Sequence, residues 1–387
     1  MTSTSKPASR LRISLVCNTA WAIHTYRHGL IRTLLARGVE VTVLAPPDRA
    51  FEPLRAMGCH CIALPLAAQG TNPLADLRTL GALYRRYRAL RPQLVFHYTI
   101  KPNIYGSIAA WLARVPSVAV TTGLGYAFIQ SGRTARFARR LYRFAFRFPR
   151  EIWFLNQDDQ ATFLAQKLLV HPERAQLLHG EGVDLEHFAF CPLPPSAPPA
   201  PFVFVLIGRL LWDKGVAEYV AAARQLRARY PHARFQLLGP TDVANPSAIS
   251  RANVATWEHE GVIDYLGEAD DVRPAITAAS CVVLPSYREG VPRTLLEAAA
   301  IGRPIVATDV PGCRDVVEDG VNGFLCAARD ANSLAAALTR ILELDDAARQ
   351  QMAERGRQKV SAEFDERDVI ARYLALIERV SAISLQP

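Results

Sequence analysis

The 387-residue sequence predicts an α/β protein of two Rossmann-like doubly wound domains facing across a cleft. Three observations carry that expectation. Short apolar runs alternate with longer helical patterns, a proline-dense segment interrupts the alternation once, and the same rhythm then restarts. Strands that read as continuous apolar runs belong to parallel sheets covered on both faces. Hydrophobic residues make up 50% of the chain and charged residues 21%, enough apolar material for two cores. That balance excludes a disordered tail protein and a small disulfide scaffold.

Taken in order, Ile13 to Cys17 reads as the first buried strand. His24 to Ala36 is helical and closed by Gly38, and Val39 to Ala45 is a strand stopped by Pro46 and Pro47. The rhythm continues through Leu94 to His97, Ser117 to Thr122 and Glu151 to Asn156. Cys191 to Pro201, CPLPPSAPPAP, has six prolines in eleven residues, so it forms neither helix nor sheet ladder and is expected to be a stiff linker. It separates an N-terminal domain, 1–190, from a C-terminal domain, 202–368. Beyond it come a strand from Phe202 to Ile207, a helix from Gly215 to Arg229 and a strand from Ala233 to Leu238. Then follow Cys281 to Pro285 as strand, Pro292 to Ile301 as helix and Pro304 to Thr308 as strand. The stretch from Ser333 to about Ile383 is mostly helical, and 369–387 is expected to cross back to the first domain. Ligands of open parallel sheets bind at the carboxyl ends of strands, which places the candidate sites in the loops that follow them.

Charge is unevenly placed. The net is +9, but residues 1–190 carry 24 basic and 11 acidic side chains, a net of +13, and the remainder is −4. The first half therefore attracts anions: phosphorylated substrates, an anionic membrane or nucleic acid. Seven scattered cysteines without a CxxC pair point to a reducing, cytoplasmic setting. The amino-terminal ten residues are polar, and no apolar run reaches the length of a membrane span.

Two segments carry chemistry. Ser286 to Gly302, SYREGVPRTLLEAAAIG, follows a strand and opens a helix, with Pro292 suited to the first helical position and Gly302 to the C-terminal cap. The amides of Arg293, Thr294 and Leu295 then form an anion site. Glu289 before the helix and Glu297 in its second turn are placed to bind sugar hydroxyls; the alternative is a surface loop and a solvated face. Gly208 to Gly215, GRLLWDKG, follows the first strand of the second domain. Arg209 and Lys214 offer the two cations that a diphosphate needs, unless the segment is an ordinary basic turn.

GRLLWDKG, followed about 75 residues later by EGVPRTLLE (E-x7-E), resembles the retaining family-4 glycosyltransferases of GT-B fold. The resemblance spans roughly Leu11 to Glu378. It implies that Arg209 and Lys214 hold the donor diphosphate, Glu297 the ribose hydroxyls and Glu289 the donor sugar. Gly208 and the backbone at Gly290, Val291, Thr294 and Leu295 complete the donor shell, and Asp264 to Gly267, with Leu266, lies at the nucleotide base. HYTIKPNIYG and TTGLGYAF resemble the branch that builds bacterial surface polysaccharide, lipopolysaccharide or glycoprotein glycan on undecaprenyl diphosphate, N-acetylgalactosaminyltransferase-like in kind. One departure stands out: Gly123 occupies the place where many members carry a histidine near the active centre. That contact is absent or comes from another residue, such as His97.

The implied reaction moves a sugar, an N-acetylhexosamine by the branch, from a UDP-sugar to a polyprenyl-diphosphate-linked glycan. No cofactor and no metal are expected; a divalent-binding Asp-x-Asp pair and clustered Cys/His ligands are both lacking. A nucleotide-binding GxxxxGK[ST] loop, a GxSxG elbow and a GxGxxG fingerprint after the first strand are lacking too. His97, Lys101, Asn103, Tyr105 and Gly123 are the candidate acceptor residues, with Lys101 beside a helix start as the phosphate ligand. The alternatives are a packed strand-end histidine and a solvated lysine. Trp21 and His24 follow the first strand and are expected at the same cleft.

Arg133 to Arg150, RTARFARRLYRFAFRFPR, has seven arginines, five aromatics and no acid. As a helix it aligns Phe137, Leu141, Phe144 and Phe148 in one stripe, the pattern of an interfacial helix on an anionic membrane. A domain-packing helix with solvated arginines and a nucleic-acid surface are the alternatives. Arg85, Arg86 and Arg88 add to the same basic half. The protein is thus expected in the cytoplasm, peripherally on the inner face of the cell membrane, without a nucleic-acid partner. A UDP-N-acetylglucosamine 2-epimerase-like enzyme and a non-enzymatic anionic-surface binding protein are the competing readings.

Overall fold

The structure, a computed structural model, describes residues 10–66, 72–123, 133–194 and 200–385. It comprises two units, Met1–Leu178 with Arg367–Pro387, and His179–Glu366.

The first unit is built on a seven-stranded sheet. Its strands are β1 (Arg12–Val16), β2 (Glu40–Ala45), β3 (His60–Ala63), β4 (Leu94–Tyr98), β5 (Ser117–Thr121), β6 (Glu151–Phe154) and β7 (Ala175–Leu177). The order is 3-2-1-4-5-6-7, and neighbouring strands pair in parallel. β4 and β5 are buried at every position, which is why they read as unbroken apolar runs. Tyr373 of helix Glu366–Ser381 is buried against this sheet, its ring 4.9 Å from Phe96 and 4.8 Å from Trp153. Its hydroxyl lies 3.3 Å from that of Tyr98, and Arg379 pairs with Glu151.

The second unit holds a six-stranded sheet in the order 10-9-8-11-12-13. Its strands are β8 (Phe202–Ile207), β9 (Ala233–Leu238), β10 (Asp264–Tyr265), β11 (Cys281–Leu284), β12 (Ile305–Thr308) and β13 (Gly323–Cys326). All pairs are again parallel. In both sheets the strand order reverses once, between β1 and β4 and between β8 and β11. Loops leaving two such strands diverge to opposite faces and open a crevice at the carboxyl edge, where ligands of doubly wound sheets bind.

The boundary between units differs from the one expected at Cys191–Pro201. It falls at 178/179 and again at 366/367. Residues 191 and 192 are held in the second unit by Arg303, which has no solvent exposure. Its guanidinium donates to the carbonyls of Cys191 and Pro192, both at 3.1 Å, and Cys191 N–H bonds Ile301 O at 3.0 Å. A buried guanidinium must be satisfied or it is costly. The start of the proline-rich segment is therefore held as part of the second unit; its residues 195–199 lie outside the described residues.

Candidate active site

In the second unit, the loops after β8 and β11 flank the reversal of strand order. Gly215 closes the first loop with φ +71°, and a Cβ there would lie 2.0 Å from Pro285 O. Only glycine permits both the left-handed backbone and that approach. Tyr287 N–H then bonds Asp213 O at 2.9 Å, joining the loops backbone to backbone. The closure brings the Lys214 ammonium onto Glu289 Oε1, with 24% and 12% of the side chains exposed. Gly312, φ +81°, supports the second loop from behind, since a Cβ there would sit 2.1 Å from Gly290 O. Arg209 is exposed and makes no hydrogen bond or ion pair among the described residues. One cation of the pair is thus already matched to a carboxylate and the other is uncommitted.

Helix Arg293–Ile301 leaves the same loop and ends at Gly302, φ +85°. Pro292 is not its first residue, as the sequence suggests, but its N-cap, with ψ at 116°. The Pro292 carbonyl accepts from Leu295 N–H at 3.0 Å, so that amide is committed rather than open to an anion. Thr294 N–H has no partner among the described residues and is open to an anion. Glu297 is 8% exposed, so it lies on no solvated face. Arg293, one turn back, donates to it at 3.0 Å. Burial nevertheless outweighs that attraction and pushes the Glu297 carboxyl up to about 7. Val291 is buried, and Gly290 and Thr294 are half-buried. At the neighbouring strand end, Leu266 is 43% exposed. Gly239 N–H bonds Gly267 O at 2.8 Å, and a Cβ on Gly239 would lie 1.9 Å from Gly208 O. The turns after β8, β9 and β10 are therefore packed backbone on backbone.

In the first unit, the corresponding edge is formed after β4 and β5. Thr99 takes φ +69°, a strained value for a β-branched residue. The chain then enters a π-helical turn, Pro102–Gly106, a form that concentrates at functional sites. Lys101 and Tyr105 converge on one carboxylate that the sequence reading missed. Asp76, in the first turn of helix Pro73–Leu90, accepts from Lys101 Nζ at 2.9 Å and from Tyr105 Oη at 2.8 Å. Lys101 is 16% exposed and ion-paired, so it is not a solvated cap.

Asn103 is 1% exposed and donates to Val120 O at 3.0 Å, bracing the turn against β5. His97 departs from the acceptor role expected of it. It has no exposure, its Nε2 lies 2.9 Å from Tyr87 Oη, and a Cβ on Gly106 would meet its ring at 2.5 Å. Burial lowers its pKa to about 3, so it is a neutral histidine, and its buried Nδ1 has no partner among the described residues. Gly123 has φ +140°; the rest of TTGLGYAF beyond it lies outside the described residues. Trp21 is 38% exposed, and its backbone N–H donates to Asp48 Oδ2 at 2.9 Å. His24 beside it has its pKa lowered by burial, against the pull of Asp48.

Comparison with known proteins matches both units. Residues 22–180 fit the glycosyl transferase 4-like domain, and residues 201–344 fit the glycosyl transferases group 1. The N,N'-diacetylbacillosaminyl-diphospho-undecaprenol alpha-1,3-N-acetylgalactosaminyltransferase of Campylobacter jejuni is 29% identical over 385 residues, 96% of this chain and 99% of that protein. The UDP-Gal:alpha-D-GlcNAc-diphosphoundecaprenol alpha-1,3-galactosyltransferase of Escherichia coli is 26% identical over 297 residues, 72% of this chain and 74% of that one. Among solved structures, HepE of Anabaena in complex with UDP superposes with a TM-score of 0.75 at 20% identity, over 96% of this chain and 100% of that one. Two parallel-sheet units, each matched by its own family model, make this chain a member of the family-4-like, group 1 glycosyltransferases of GT-B fold.

Proposed function

We propose that the protein is a retaining glycosyltransferase that moves an N-acetylhexosamine from a UDP-sugar to a glycan carried on polyprenyl diphosphate, at the inner face of the cell membrane. The observation that carries this reading is the Lys214–Glu289 pair, set beside Arg209 and the open amide of Thr294 where the strand order reverses. Cations and a carboxylate in one crevice match a diphosphate bonded to a hydroxyl-rich ring. The two relatives support the substrate class, since both are named for undecaprenyl-diphosphate-linked acceptors and one for UDP-Gal. Both names specify an alpha-1,3 linkage, which from an α-linked nucleotide sugar is retention.

In this mechanism the bond from the sugar C1 to the UDP oxygen breaks, and the acceptor oxygen bonds C1 on the same face. The acceptor proton passes to the departing phosphate, so no enzymatic base is needed, and same-face attack needs no enzymatic nucleophile. Arg209, Lys214 and the Thr294 amide stabilise the charge that grows on that phosphate. Glu289, held by Lys214, accepts from a donor-sugar hydroxyl, and ionised Glu297 accepts from the ribose. Two cations and a helix start do the leaving-group work often given to a metal, so turnover is expected to persist in EDTA.

The test is a panel of UDP- and GDP-sugars in EDTA, with and without lipid-diphosphate glycan, reading nucleotide release and mass gain on the lipid. Release that depends on one UDP-sugar and on the lipid is the expected result, and Lys214→Ala should lower it by about 10²–10³-fold. Turnover without acceptor would replace the transferase reading with an epimerase or hydrolase. Near-normal turnover in the folded variant would remove Lys214 from the site.

A further inference from the structure

Helix Arg133–Ala145 uses one side for the core and leaves the other uncovered. Tyr142, Ala145 and Phe146 are buried, packed with Phe163 and Ile152. Phe137 and Phe144 point outward, 66% and 44% exposed. The exposed aromatics do not stand alone. Phe148 stacks on Trp111 with centroids 4.4 Å apart, and Phe144 meets Phe148 edge-on at 5.3 Å. Trp111 and Leu112, at the end of helix Ser107–Ala113, are 53% and 46% exposed. Two separate elements thus build an apolar cluster of Trp111, Phe148 and Phe144, with Phe137 exposed about two turns back along the same helix.

Arginines rim this face. Arg114, Arg136, Arg140, Arg143 and Arg147 are exposed. Arg139, Arg140 and Arg143 also line a shallow hollow with Gln166 and Leu168, and residues 133–150 contain no acid to neutralise them. Among the described residues no helix is long and apolar enough to cross a membrane. We propose that this Trp111–Phe148–Phe144–Phe137 face docks on an anionic lipid bilayer, its aromatics entering the headgroup boundary and its arginines binding lipid phosphate. Charge complementarity selects the occupant: a strongly basic rim around aromatic rings fits a surface that is negative outside and apolar beneath. The proposal deepens the lipid-linked-acceptor reading, and its test reads docking without donor or turnover.

The test sediments the full chain with vesicles of phosphatidylcholine alone or mixed with phosphatidylglycerol. Wild type is expected to pellet with the anionic vesicles and to be released by salt. Trp111→Ala/Phe148→Ala and Arg140→Glu/Arg143→Glu should each weaken binding by about tenfold or more while circular dichroism and UDP-sugar binding stay normal. Trp111→Phe should keep binding but lose the fluorescence quenching given by brominated acyl chains. Equal binding to both vesicle types, or unchanged binding in either double variant, would overturn the proposal. So would self-association that Trp111→Ala abolishes without any vesicle binding, which would give the face to a second copy. Turnover on a short-chain, water-soluble lipid-diphosphate glycan separates the two readings. If it proceeds without vesicle binding, docking falls and the transferase stands; if anionic binding follows the stated pattern without turnover, docking stands and the transferase falls.

Discussion

Glu297 should make stability and donor binding respond to pH in opposite directions. Its carboxyl is buried, and its pKa rises from the ordinary 4.5 to about 7. The folded protein therefore keeps a proton that the unfolded chain releases. The stabilisation is fully present below the unfolded value and is lost as pH rises through the folded one. A shift of that size corresponds to about 3 kcal/mol. Donor binding runs the other way if ionised Glu297 accepts from the ribose hydroxyls. The ionised fraction is about one-tenth at a pH near 6 and about nine-tenths near 8, so donor affinity should rise about ninefold across that span. Glu297→Gln removes the titration and should flatten both dependences. Urea denaturation between about pH 4.5 and 7 and UDP calorimetry between about pH 6 and 8, each as the difference between wild type and variant, measure the two effects. The same stability slope in the variant, or a wild-type affinity that falls toward alkaline pH, would refute the reasoning.

Three further substitutions probe the remaining geometry. Gly215→Ala forces a Cβ to within 2.0 Å of Pro285 O. It should cost at least about 1–3 kcal/mol by chemical denaturation and lower turnover by moving Lys214, and a variant as stable as wild type would count against the closed-loop geometry. Asp76→Asn withdraws the charge that holds Lys101 and Tyr105. Steady-state kinetics should show KM for the lipid acceptor raised about tenfold with UDP-sugar affinity unchanged, as expected for loss of one charge-assisted contact. His97→Ala strands the buried Tyr87 hydroxyl and opens a cavity, so stability should drop by about 2–4 kcal/mol. Acceptor KM in the folded fraction should stay near wild type, and a large rise would restore His97 to the acceptor site.

Much of the architecture was legible because parallel strands advertise themselves. β4, β5 and β11 are buried throughout, and burial on both faces requires unbroken apolar residues. The loops after β8 and β11 were legible as well, since glycine, cations and a proline-capped helix occur at strand ends in a recognisable order. What the chain conceals is partnership across distance. Asp76 lies 25 residues from Lys101 and 29 from Tyr105, so no local pattern marks it. Trp111 sits in an apolar helix that reads as core, and only the fold shows which of its faces lacks a neighbour. The unit boundary was hidden for the same reason. Proline density reports a stiff segment, but whether that segment hangs free depends on Arg303, more than a hundred residues away. His97 misled because a strand-end histidine has the same spelling whether it faces a ligand or a buried tyrosine.

The return of Tyr373 to the first sheet has a consequence for biosynthesis. Phe96 and Trp153, whose rings lie 6.0 Å apart, and Tyr98 all meet Tyr373 of helix Glu366–Ser381, while the unit His179–Glu366 is continuous in sequence. The second unit's last segment is therefore synthesised before the helix that completes the first. The amino-terminal half, although translated earlier, must wait with an uncovered aromatic surface until residue 381 has cleared the exit tunnel. During that interval the nascent chain is open to chaperones and to aggregation, and a stop codon anywhere before position 366 would strand it there.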